Sequence, residues 1–166
     1  MPPRVLVARD LSLLLLACVA LVLDAHLRAT IAQSALTITV GVIAGVLVAV
    51  AGFIGHEWGH LAGSLLTKSA VHYPQTALSP LLFHFDTKRN DRAQFLAMSW
   101  GGYIATALGT ALVVAIVDAR AWSGRVALVL TVGGMIVTLV AEVPTTVRVL
   151  LGRPLPDGFA FRPPRA

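Results

Sequence analysis

A chain of 166 residues that is 57% hydrophobic, only 13% charged and has a mean hydropathy of +0.81 is excluded from the soluble globular class. The net charge of +5 does not point to a nucleic-acid partner, because the basic residues flank apolar runs instead of forming one patch. Cys18 is the only cysteine, so these residues hold neither an internal disulfide nor a cysteine-based metal cluster.

The expected fold is an all-α integral membrane protein with four transmembrane helices, a single domain over residues 1–151. The first helix, about 7–27, has a basic leader (Arg4, Arg9) and a short apolar run, Leu11 to Leu23. A cleaved signal peptide is the alternative for this segment. Asp24, His26 and Arg28 cap it or lie at the interface. The second helix, about 36–66, is fed by a stretch from Ala29 to Gly55 without Asp, Glu, Lys or Arg, long enough to span a bilayer. It carries a G-x-x-x-G pair, Gly41 and Gly45, read as packing. Loop 67–92 is the one long polar connection. Leu81 to Asp86 partly alternates and reads as a short strand, with Ala70 to Tyr73 as its partner, or equally as a plain interfacial loop whose Leu and Phe side chains dip into lipid. An edge strand there could take up an extended peptide by strand addition.

The third helix, about 93–118, has no acidic or basic residue from Ala93 to Val117. The fourth, about 124–151, contains one ionisable residue between Val126 and Val147, Glu142, with Pro144 two residues later. The tail 152–166, rich in Pro, Gly and Arg, reads as flexible.

Four spans place both termini and loop 67–92 on one side. That side collects Arg4, Arg9, Lys68, Lys88, Arg89, Arg92, Arg148, Arg153, Arg162 and Arg165, against Arg28, Arg120 and Arg125 on the other. The asymmetry predicts cytoplasmic termini in a multi-pass protein.

Inside the second helix stands His56-Glu57-Trp58-Gly59-His60. Positions i and i+4 share a helix face, so two imidazoles can reach one metal ion, and the intervening glutamate can reach a water beside it. H-E-x-x-H is the zinc metallopeptidase pattern. A buried anion at Glu57 would be costly without a purpose. Trp58 is assigned no chemistry, and Gly59 and Gly63 permit close approach of a helix or a substrate backbone.

One Zn2+ needs a third protein ligand. Glu142, Asp157, His84, His72 and Asp86 are the candidates. Counted at 1.5 Å per residue from the shared end, His60 lies about 9 Å deep, His56 about 15 Å and Glu142 about 12–13 Å. Depth therefore favours Glu142. Asp157 lies beyond Arg153, outside a straight helix. His72, His84 and Asp86 line a polar path to the site or face solvent.

These residues carry a resemblance. The motif with Ala62 and Gly63 after it resembles the motif helix of the site-2 protease family of intramembrane zinc metalloproteases. Gly102-Tyr103-Ile104-Ala105-Thr106 looks like that family's middle motif, with Thr106 where Asn, Ser or Gly is commoner. Ala141-Glu142-Val143-Pro144 looks like the start of its third motif. Asp157 in Leu155-Pro156-Asp157-Gly158 is the nearest match to the family's aspartate ligand, so by letters Asp157 stays the alternative to Glu142. The resemblance implies cleavage of membrane-bound signalling proteins or of leftover signal-peptide segments.

The resulting expectation is a protease in the bilayer. His56, His60 and Glu142 hold zinc, Glu57 is the general base toward a zinc-activated water, and Thr106 is a candidate oxyanion or substrate contact. The alternatives are a non-catalytic zinc-binding membrane scaffold and a small transporter.

Overall fold

The computed structural model describes residues 2–157. It contains four long helices, α1 (Pro3–Thr30), α2 (Ala35–Leu66), α3 (Arg92–Ile116) and α4 (Trp122–Leu150). All four are long and apolar enough to cross a membrane, which makes this an all-α multi-pass membrane architecture. The bounds lie within four residues of those expected from hydropathy.

Local chemistry explains the ends. Pro3 opens α1 at the position where a missing N–H costs nothing. Reciprocal capping boxes start α2 (Ser34 with Thr37) and α3 (Asp91 with Gln94). α4 ends in a Schellman motif: Gly152 has φ +86°, its N–H donates to the Val149 carbonyl, and the Arg153 N–H donates to the Arg148 carbonyl.

α2 is the central helix and packs on α1, α3 and α4, while α3 also packs on α4. Short turns, 31–34 and 117–121, join α1 to α2 and α3 to α4 at one end, here the turn face. The long connection, the start of α1 and the residues after α4 lie at the other end, the loop face.

Large apolar side chains such as Leu15, Val22, Leu108, Ile116, Val129 and Val140 point outward. Polar ones, among them Asp10, Asp24, His56, Ser64, Ser99 and Ser123, are buried between helices. This arrangement suits a lipid solvent, in which polar groups must find partners within the protein.

Small residues set the helix spacing. A Cβ on Gly59 would overlap the Gly101 carbonyl, one on Gly101 would overlap the Gly59 carbonyl, and one on Gly63 would overlap the Ala97 carbonyl. The partner that Gly59 and Gly63 admit is therefore α3. Gly41 and Gly45 do the same for the start of α4, as a packing pair should.

The loop folds on itself. β1 (Val71–His72) and β2 (His84–Phe85) pair antiparallel, Val71 with Phe85 and His72 with His84. This is the expected pair of strands, shortened to two residues each. Asn90 holds the Ala70 backbone through both its amide groups, at 2.6 and 2.7 Å. Leu82, Phe83 and Phe85 drop into an apolar cluster with Leu6, Leu61, Phe95, Met98 and Val149, and Leu155 packs against it. The loop is thereby cemented to the bundle and to the chain that follows α4.

Candidate metal centre

α2 turns His56 and His60 to one side, and α4 brings Glu142 across from it. His56 Nε2 lies 3.0 Å from His60 Nε2. One Glu142 oxygen is 3.1 Å from His56 Nε2 and the other 3.3 Å from His60 Nε2. The three residues together could hold a metal ion.

The other imidazole nitrogens are committed elsewhere. His60 Nδ1 donates to the Met98 carbonyl at 2.9 Å, which leaves its Nε2 as a lone pair. His56 Nδ1 lies 2.8 Å from the Thr106 hydroxyl; donation to that oxygen leaves the second Nε2 as a lone pair too. Two lone pairs and a carboxylate then converge on one point, an arrangement that repels itself unless a metal ion or a proton occupies the centre. Bonds of 2.0–2.1 Å in a tetrahedral site put ligand atoms about 3.3 Å apart. The observed spacing fits a metal, and two imidazoles with one carboxylate leave a fourth position open.

α3 is shaped to this group. A Cβ on Gly102 would overlap the His60 ring, so only glycine leaves that imidazole room. Thr106 sits one turn further along, opposite His56. The i, i+4 pair on α3 thus serves the i, i+4 pair on α2, because the helices run antiparallel. Thr106 spends its hydroxyl orienting His56, a role not expected from the sequence. Tyr103, between them, bonds the Thr146 hydroxyl at 2.6 Å and ties α3 to α4 beside the group.

Glu57 opens, with His60 and Glu142, onto a cavity of about 310 Å³. α3 contributes Phe95, Met98 and Ser99, α4 contributes Thr145 and Thr146, and the loop contributes Leu81, Phe83 and Phe85. One Glu57 oxygen accepts the Leu82 backbone N–H at 3.1 Å. The general-base candidate therefore touches the loop directly.

The remaining candidates fall elsewhere. Asp157 is exposed and outside the three-residue group, although Pro156, beside it, lines the cavity. α4 is continuous through Pro144, so the chain returns to the site by the turn at Gly152, not by unwinding at the proline. His84 and Asp86 are buried, and His72 pairs with Asp86 at 2.9 Å. That hydrogen bond holds the Asp86 carboxyl below the usual carboxylate range, with the Lys88 and Arg89 N–H groups adding to it. His84 and Asp86 belong to the loop's own core, while the partly exposed His72 covers Asp86 from the solvent side.

Asp10 and Trp58 were given no polar role from the sequence, and Asp24, expected to cap α1 or lie at the interface, is buried between helices. Trp58, in the motif, donates its indole N–H to Asp10 at 2.8 Å. Asp10 also pairs with Arg9 at 2.7 Å, and Arg9 donates to the Ala77 and Ser79 carbonyls at 3.0 Å each. Asp24 accepts from Ser123 at 2.7 Å and from Arg28 at 3.0 Å. An ionisable residue near the end of an apolar run was the available signal. Comparison with protein-family models, curated proteins and solved structures finds no match.

Proposed function

We propose that the protein is an intramembrane zinc metalloprotease, resembling the site-2 proteases, that hydrolyses peptide bonds in or near transmembrane segments. The observation that carries the reading is the convergence of His56, His60 and Glu142 within spanning helices, beside a cavity that Glu57 also lines. Zinc, when bound there, supplies a Lewis acid that makes water acidic near neutral pH and polarises a carbonyl.

The chain supplies the rest. Thr106 and Met98 hold the imidazoles so that both Nε2 atoms face Glu142. Glu57 takes the proton from the attacking water and returns it to the leaving amine. The Phe and Met side chains give the cavity a largely apolar wall, which strengthens each of these interactions. A helical substrate must unwind locally first, because its carbonyls are already hydrogen-bonded.

Glu57→Gln tests this. The variant should keep its zinc yet cleave a single-span test substrate in liposomes at least about 100-fold more slowly. Undiminished cleavage would rule out the general-base role. If the wild-type protein binds zinc but cleaves no membrane substrate, the scaffold or transporter reading takes its place.

A further inference from the structure

The turn face carries the arginines that the charge asymmetry left in the minority, Arg28, Arg120 and Arg125. They come from the end of α1, the turn between α3 and α4 and the first turn of α4, yet all three line one cavity of about 340 Å³ between the end of α1, the start of α2 and the start of α4. Convergence of every basic side chain on this face is not required by the fold, since each turn could direct its own into water.

The charges there do not cancel. Asp24 is buried and is matched by Arg28 at 3.0 Å, and Asp118 lies 3.6 Å from the same guanidinium. Among the described residues, neither Arg120 nor Arg125 has a carboxylate within ion-pair distance. Arg125 stands over the Trp122 ring, 5.5 Å from its centroid, and its Nε donates to the Ala119 carbonyl. Its terminal nitrogens stay available. The start of α4 already has its own anion, because Asp24, which lines the same cavity, accepts from the Ser123 hydroxyl at 2.7 Å. The cavity therefore presents two guanidinium groups without a carboxylate partner among the described residues, at the level where the spans end.

We infer that this cavity is a phosphate-binding site. Guanidinium forks match phosphate oxygens bidentately, and an aromatic ring beside them suits the membrane interface. The ligand is a phosphate anion, carried either by an anionic lipid headgroup or free in solution. The inference is independent of the chemistry proposed for the metal group.

Native mass spectrometry on the full chain, purified in a phosphate-free detergent, can count bound phosphatidylglycerol against phosphatidylcholine. The expected result is preferential retention of phosphatidylglycerol, weakened roughly ten- to a hundredfold in Arg120→Gln/Arg125→Gln. Lys88→Gln/Arg89→Gln, on the loop face, should retain it like the wild type. Circular dichroism confirms that each variant is helical, and Arg120→Lys/Arg125→Lys, which keeps the charge, should recover part of the binding. Retention unmoved by inorganic phosphate identifies the lipid headgroup; displacement by inorganic phosphate, with direct binding to lipid-free protein, identifies the free anion. Equal retention of both lipids together with no binding of inorganic phosphate, or binding unchanged in the Gln variant, would overturn the inference.

Discussion

Thr106 and Gly102 show how much of the candidate site depends on residues that carry no metal ligand. Thr106 orients His56 through Nδ1, and groups in that position change metal affinity about 10- to 100-fold when removed. Thr106→Val should therefore weaken zinc binding by that factor while Thr106→Ser keeps it, measured by competition with a chelating dye. The metal motif itself was legible in the sequence, because H-E-x-x-H is local and helix geometry alone puts both imidazoles on one face. Glu142 was legible by depth, since α2 and α4 run in the same direction and residue counting measures height. Thr106's hydrogen bond and Trp58's bond to Asp10 were not, because each depends on how two helices are rotated about their own axes.

At the scale of elements, the α2–α3 contact and the loop are the two structures that shape the cavity. Gly59 and Gly101 bring the helix backbones together, so Gly101→Leu should force them apart at a cost of about 1–3 kcal/mol, read as earlier unfolding in a denaturing detergent. The loop has a pH limit. Asp86 is held below its ordinary range by His72, so its contribution is complete above the unfolded value of about 4 and is lost as pH falls through the folded one. Hydrogen-exchange protection of residues 70–90, taken relative to the intrinsic rate at each pH, should be high at neutral pH and fall under acid, and Asp86→Asn should remove that dependence. The strand pair was legible from alternation, and its two-residue length was not, because Asn90 and the buried phenylalanines, not a long ladder, hold the loop in place.

For the whole molecule, four apolar runs joined by two short turns and one long loop set the topology, and the helices follow it. The charge asymmetry predicts that both termini and loop 67–92 face the cytoplasm. With Cys18 replaced, a single cysteine at Lys88 should be protected from an impermeant thiol reagent in intact cells, and one at Ala119 should be labelled; the reverse pattern would invert the proposed orientation. Along the chain Arg28 lies about 90 residues from Arg120 and Arg125, and only the assembled bundle brings them to one cavity. The central claim is that α2 and α4 together build a zinc site. Metal analysis by inductively coupled plasma mass spectrometry of the wild type, Glu142→Ala and Asp157→Ala tests it most directly. One zinc per chain in the wild type and in Asp157→Ala, with loss in Glu142→Ala, is the predicted result; a wild type without zinc, one that carries iron in its place, or loss confined to Asp157→Ala would contradict it.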